Sequence, residues 1–224
     1  MYNNSQHTFK THDQTELFYQ HWESISQKNS PNANKKAIIL FHRGHEHSDR
    51  MAHLVDELKL TDFDFFAWDA RGHGDSPGAR GDSPSFSACV KDIQYFLQHI
   101  QHQYNIDENN IAIIGQSVGA VLSATWVHDY APKIRALCLA SPAFDIKLYV
   151  PFAEPGLRVL NHIKGNFFIQ SYVKSSMLTH DKERAQTYDT DPKIARSISV
   201  RMLLGLYDAS KRIVADAQNI FVPT

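Results

Sequence analysis

Cysteine is nearly missing from this chain. Cys89 and Cys138 are the two among 224 residues, too few for a disulfide framework, and their apolar surroundings read as a pair of buried, reduced thiols. An excess of charge of either sign is missing too. The 23 lysines and arginines balance 24 aspartates and glutamates, so there is no electrostatic reason to expect nucleic acid or an anionic membrane as partner. No apolar run approaches the length of a bilayer span, and no transmembrane segment is expected. The opening Met1-Tyr2-Asn3-Asn4-Ser5-Gln6-His7 has neither the basic nor the apolar region of a signal peptide, which points to the cytoplasm. Internal repeats and low-complexity segments are absent. What remains is 42% hydrophobic and 21% charged, an ordinary globular composition long enough for one α/β domain with a core and a subdomain.

The apolar patterning gives the order of elements. Residues 7–11 and 16–22 read as two strands joined by a polar turn through Asp13 and Gln14. Residues 24–35, with Pro31 and several Asn and Ser, read as a surface loop. Residues 37–41 (Ala-Ile-Ile-Leu-Phe) form a continuous apolar run of the kind buried on both faces in a parallel sheet. Residues 51–60 carry helical spacing through Leu54, Leu58 and Leu60, and residues 63–69 read as the next strand. Residues 85–104 predict a long amphipathic helix with Val90, Ile93, Phe96, Leu97 and Ile100 on one stripe and Ser85 as N-cap. Residues 111–116 and 134–140 are further buried strands with a helix to about Tyr130 between them. A strand pair followed by alternating strands and helices argues for a mostly parallel, doubly wound sheet. From Phe144 to about Gln218 helical periodicity replaces strands, notably over 198–217, where Met202, Leu206, Ile213 and Ala217 share a face. The preceding segment is rich in large apolar residues, among them Phe152, Phe168, Tyr172 and Met177. An insertion of this kind on the carboxyl side of a sheet reads as a lid.

Gly115-Gln116-Ser117-Val118-Gly119 stands between the β-branched run 111–114 and a helix-forming stretch. That is G-x-S-x-G in the strand–turn–helix context of a nucleophile elbow, where a sharp turn lifts the serine Oγ above the sheet edge. The glycines serve a strand and helix that cross too closely for a Cβ. The bare pattern arises by chance too often to decide, and a tight glycine turn is the competing reading. His42, His45, His47 and His53 invite a metal reading. They lie in and just after a loop, without the helical H-E-x-x-H spacing of a zinc enzyme, so neither metal nor other cofactor is expected. Arg80-Gly81-Asp82 spells an adhesion tripeptide; a chance surface loop is the plainer reading.

Three stretches together resemble the α/β-hydrolase fold and, within it, monoacylglycerol lipases and lysophospholipases. They are the elbow, Phe41-His42-Arg43-Gly44-His45-Glu46-His47-Ser48, and Trp68-Asp69-Ala70-Arg71-Gly72-His73-Gly74-Asp75-Ser76. Residues 181–192, ending in Asp-Pro, are similar to that group's lid segment. The resemblance implies a serine esterase acting on a small lipid monoester through an acyl-enzyme on Ser117. The backbone N–H groups of Gly44 and Val118 would form the oxyanion hole, with Glu46 and His47 bracing one loop and His73 within another that supports the site. Arg43 and His45 depart from the family, which has glycine at both positions. Arg43 would either crowd the acyl channel, hold a phosphate or carboxylate of the substrate, or simply be solvated. The resemblance also implies a core over 1–143, a lid over 144–218 and the start of a further core strand at 219–224. The triad acid and histidine then fall beyond Thr224, so the sheet's last strands are expected to be missing and the chain alone to be inactive. Asp145 with His162 or His180 would keep the required order Ser, acid, His, but both histidines read as exposed lid residues. Two other readings stay open, a non-catalytic domain binding an apolar ligand and the front part of a longer multidomain enzyme.

Overall fold

The computed structural model describes residues 2–28, 34–146 and 152–224. In chain order the elements are β1 (Tyr2–Lys10), β2 (Glu16–Ser24), α1 (Ile25–Lys28), β3 (Ala37–Phe41), α2 (His53–Glu57), β4 (Asp64–Trp68), α3 (Phe86–Tyr104), β5 (Ile111–Gln116), α4 (Val118–Tyr130), β6 (Ala136–Ala140), α5 (Ala153–Lys164), β7 (Phe168–Gln170), α6 (Ser175–Leu178), α7 (Lys182–Thr190), β8 (Ser197–Ser199) and α8 (Val200–Ala215). Six strands form one sheet in the order β1-β2-β4-β3-β5-β6. The β1–β2 and β2–β4 pairings are antiparallel, and β3 pairs in parallel with both β4 and β5, as β5 does with β6. The chain leaves β3 for β4 on one side and returns to β5 on the other. Reversal of this kind opens a crevice at the carboxyl ends of β3 and β5. Phe41 pairs with Gly115 there and Gln116 with Ala140, so three strand ends present their loops at one level.

The two-residue period of β3 explains the layers. Ala37, Ile39 and Phe41 join the larger core with Phe9, Tyr19, Trp68 and the stripe of α3, while Ile38 and Leu40 join a smaller one on the opposite face with Trp22, Met51, Val55 and Phe65. The Ser85 hydroxyl accepts from the Ala88 N–H at 3.0 Å, which fixes the start of α3 as the sequence predicts. α8 lays Met202, Leu206 and Ala209 onto this core and is tied to α4 by a forked Arg212–Asp129 pair at 2.6 and 2.9 Å.

Several expectations need correction. Residues 51–60 are not one helix: α2 is a single short turn segment, with Leu58 and Leu60 exposed and Met51 and Val55 buried instead. Cys89 is buried, but Cys138 is exposed, because it shares the sheet face of Ile114, which is only thinly covered at this end of the sheet. The segment expected as a lid is not purely helical, since β7 and β8 pair as a short antiparallel ladder, Ile169 opposite Ile198. Phe152, Phe168, Tyr172 and Met177 are exposed. The loop expected at residues 24–35 falls partly outside the described residues, and its first part forms α1. At the chain's end, the Leu137 N–H of β6 donates to the Pro223 carbonyl at 2.8 Å.

Arg80-Gly81-Asp82 is not a free surface tripeptide either. Asp82 is buried and accepts from both Nε (2.8 Å) and Nη2 of Arg201, while the Gly81 carbonyl accepts from the Ser199 N–H at 3.0 Å. A Cβ on Gly81 would lie 2.0 Å from the Ser197 carbonyl. The segment clamps the start of α8 to the core.

Candidate active site

Ser117 sits between β5 and α4 with φ 54 and ψ −110. A non-glycine residue at positive φ is strained by about 1–3 kcal/mol and persists only where its surroundings over-determine it. Those surroundings are visible. The Ser117 N–H donates to the Ala140 carbonyl at 3.0 Å, and its own carbonyl accepts from Ala120 and Val121 at 3.1 and 3.2 Å. The flanking glycines hold the close crossing. A Cβ on Gly119 would lie 2.4 Å from the Phe41 carbonyl and 2.5 Å from that of His42, and one on Gly115 would lie 2.7 Å from the Ala120 Cα. These obstacles are backbone and cannot swing aside. Gly119→Ala is therefore expected to destabilise the fold by about 3 kcal/mol, the upper end for overpacking, read as a lower urea midpoint. A change under about 0.5 kcal/mol would show that the crossing is loose.

Ser117 opens onto a cavity of about 260 Å³ that it shares with Gly44, Val118 and Asp145. The rest of the wall is mainly apolar, supplied by Ile146, by Ile169 and Ile198 of the β7–β8 ladder, and by Met202, Leu203 and Leu206 of α8. Gly44 and Val118 are immediate neighbours, since a Cβ on Gly44 would lie 2.9 Å from Val118 Cγ2. Val118 is the first residue of α4, where an N–H has no intrahelical acceptor. Neither the Gly44 nor the Val118 N–H donates to another group among the described residues. His162 and His180 are exposed and away from this cavity, so of the alternative acid and bases only Asp145 is brought near Ser117.

His45 and His73 also line the cavity. Burial drives both rings down, His45 to about 4 and His73 to about 3, so both are neutral at pH 7. Rings that hold a proton so weakly are poor acceptors for a serine hydroxyl. The Ser117 Oγ hydrogen-bonds to no histidine among the described residues. His45 has φ 74, which explains why glycine suits this position in the resembling family; histidine is among the side chains that tolerate the left-handed region better than most.

The loops around the site are held by buried polar groups. Asp69 accepts from the Ser48 N–H at 2.6 Å and the Asp75 N–H at 2.7 Å, joining the loop after β3 to the loop after β4. A Cβ on Gly74 would lie 2.0 Å from the Asp69 carboxylate. The four histidines of the metal reading have separate partners. The His42 Nε2 accepts from the Ala70 N–H, His45 meets the Ala195 backbone, His47 meets Asp191, and the His53 Nδ1 meets the Arg50 carbonyl.

Sequence reasoning missed a clasp between the loop after β3 and the end of α7. The His47 Nε2 lies 2.9 Å from Asp191 Oδ2 and its Nδ1 3.4 Å from Asp49. The partners His47 and Asp191 lie 144 residues apart, so no local pattern reveals them; the Asp-Pro ending of the lid segment was the available signal. Burial opposes the charged ring, but the carboxylates of Asp49 and Asp191 outweigh it and raise the His47 pKa. Asp191 is lowered, burial again opposing and His47 prevailing. The raised histidine stabilises fully below its unfolded value of 6.5 and loses that contribution as pH rises through its folded pKa. Asp191 contributes above its ordinary 3.8 and loses that as pH falls through its folded value. Amide protection over residues 182–195, corrected for intrinsic exchange, is therefore expected to decline as pH is raised through and beyond neutrality. Protection that is flat with pH, or identical in His47→Gln, would contradict the clasp.

A family model for serine aminopeptidase S33 matches residues 32–224. The chain belongs to this family. Over 219 residues it is 52% identical to the uncharacterized protein YnbC of Escherichia coli K12, covering 98% of this chain and 37% of that protein. Over 213 residues it is 27% identical to the monoglyceride lipase of Rattus norvegicus, covering 92% of this chain and 66% of that enzyme. The chain thus spans just over a third of the first relative and about two thirds of the second. The monoacylglycerol lipase of Paleococcus ferrophilus superposes with a TM-score of 0.74 at 21% identity, covering 100% of this chain and 75% of that one. At that identity the likeness speaks for the α/β-hydrolase fold, which this S33 chain has. Among the described residues no helix is long and apolar enough to cross a membrane.

Proposed function

We propose that this S33 chain carries the nucleophile, oxyanion donors and acyl pocket of a carboxylic ester hydrolase acting on lipid monoesters. The observation that supports this most is Ser117 at φ 54, facing an apolar cavity of about 260 Å³ beside two undonated N–H groups. On this reading the Ser117 Oγ attacks the ester carbonyl and its proton passes to a base. The carbonyl oxygen becomes an oxyanion held by the Gly44 and Val118 N–H groups, each worth about 3 kcal/mol of transition-state stabilisation. Collapse expels the alcohol, protonated as it leaves, and water then releases the fatty acid from the acyl-enzyme. The general base this needs is a histidine titrating near neutrality, which neither His45 nor His73 is.

The apolar wall favours an acyl chain over a peptide. The test is to assay the full polypeptide encoded by the reading frame with a monoacylglycerol, a lysophospholipid and an amino-acid anilide. Turnover of the lipid esters, rising with acyl length and exceeding the anilide, is expected. Anilide cleavage outpacing both esters would overturn the substrate class. Ligand-induced thermal stabilisation without any turnover would favour a binding domain instead.

A further inference from the structure

A second cavity, of about 340 Å³, lies beside the first and shares Arg43 and Leu178 with it. Gln116, the residue before the nucleophile, also reaches it, so the two cavities meet at the elbow. Their linings differ in kind. Where the first is apolar, the second carries Arg43, Arg50, Arg184 and His53, with Asp49 as the carboxylate on its wall. Asp49 is already neutralised by Lys193 at 3.2 Å and His47 at 3.4 Å. Arg184 is paired with Glu57 at 2.9 Å. Arg50 has no carboxylate within ion-pair distance among the described residues. Its Nη1 donates instead to Thr187 Oγ1 at 3.1 Å, its Nη2 makes a long contact of 3.5 Å with the Arg184 carbonyl, and its guanidinium lies 5.7 Å from the Tyr188 ring centre, which fixes its orientation. Arg43 places Nε 2.8 Å from the buried Glu46, and its terminal amino groups hydrogen-bond to nothing among the described residues. Arg43 also occupies a position where the resembling lipases have glycine. A cationic chamber that holds an unpaired arginine and opens next to the acyl cavity has a missing anion.

We propose that this chamber is a phosphate site, and that the substrates are monoacyl glycerophosphates whose acyl chain lies in the apolar cavity while the phosphate is held by Arg50 and Arg43. Guanidinium forks bind phosphate oxygens in pairs, and Arg43 and Arg50 line the same chamber. The inference rests on the esterase reading for the acyl half and narrows its substrate class. Hydrolysis then yields a fatty acid and a glycerophosphate, with one water consumed.

The test is calorimetric binding to the full polypeptide carrying Ser117→Ala, which removes turnover from the measurement. The ligands are a short-chain monoacylglycerol 3-phosphate, the matching neutral monoacylglycerol, and inorganic phosphate alone. The phosphate-bearing lipid is expected to bind at least about tenfold tighter than the neutral one, in line with one or more charge-assisted hydrogen bonds. Arg50→Gln and Arg43→Gly are each expected to bring that ratio toward one. Equal affinities in the parent, or a ratio that survives both substitutions, overturns the proposal. Inorganic phosphate binding as tightly as the lipid phosphate, with no gain from the acyl chain, overturns it as a headgroup site and identifies a free-anion site. The ratio does not depend on catalysis, so a failed esterase assay with the ratio intact rejects the hydrolytic reading and supports the phosphate site.

Discussion

Ser117→Ala is expected to lower lipid-ester hydrolysis by about five to six orders of magnitude, the loss seen when a serine nucleophile is removed from its assembly. Residual turnover would reflect the oxyanion donors and the cavity alone. The same position yields a stability result that a merely structural serine would not give. Alanine keeps the strain at φ 54 and ψ −110, whereas glycine adopts positive φ freely. Strain of about 1–3 kcal/mol, less the extra unfolded-chain entropy of glycine, about 0.5–1 kcal/mol, leaves a gain near 1 kcal/mol. Ser117→Gly should therefore melt higher than the parent, Ser117→Ala should not, and both should be inactive. Activity retained in either variant, measured against a lipid ester, would remove Ser117 from the chemistry.

Arg71→Met is expected to cost about 4 kcal/mol of folding stability in urea titration. The guanidinium is nearly inaccessible and forks onto Asp92 at 2.5 and 2.8 Å and onto Asp13 at 2.8 Å through two nitrogens. Those bonds hold its protonated state above the ordinary value. Removing one member of a buried pair strands the other charge, which typically costs about 3–5 kcal/mol, whereas replacing the pair with apolar groups is often neutral. The stranded group here is Asp92, since Asp13 is largely solvated. Arg71→Met with Asp92→Leu should recover most of the loss. A loss under about 1 kcal/mol, or no recovery in the double variant, would show that Arg71 does not hold the loop after β4 to α3 and to the β1–β2 turn.

The parts of this site that the sequence disclosed are those whose physics is local. Gly115 and Gly119 bracket Ser117 within five residues, and the packing that forbids a Cβ at either follows from a strand turning directly into a helix. The continuous apolar run of β3 and the stripe of α3 are likewise local patterns, and both put the expected residues inside. Pairings between distant charges were not disclosed. Asp82–Arg201 and His47–Asp191 join segments more than a hundred residues apart, and nothing about an isolated Asp82 distinguishes an anchor for α8 from a solvated loop. The β7–β8 ladder was missed because three-residue strands are too short to show a period. Cys138 was misplaced because an apolar run does not tell which sheet face is covered. Arg43 and His45 stood out as departures, but the left-handed backbone of one and the shared wall formed by the other required the fold.

Whether the Ser117 Oγ is an activated nucleophile is tested most directly by intact-mass and peptide mapping of the full polypeptide after treatment with a fluorophosphonate. Attack on phosphorus with loss of fluoride should leave a single adduct, on the peptide containing Ser117, absent from Ser117→Ala and suppressed by a competing monoacyl lipid. No adduct, or labelling that persists at the same rate after Ser117→Ala, would contradict it.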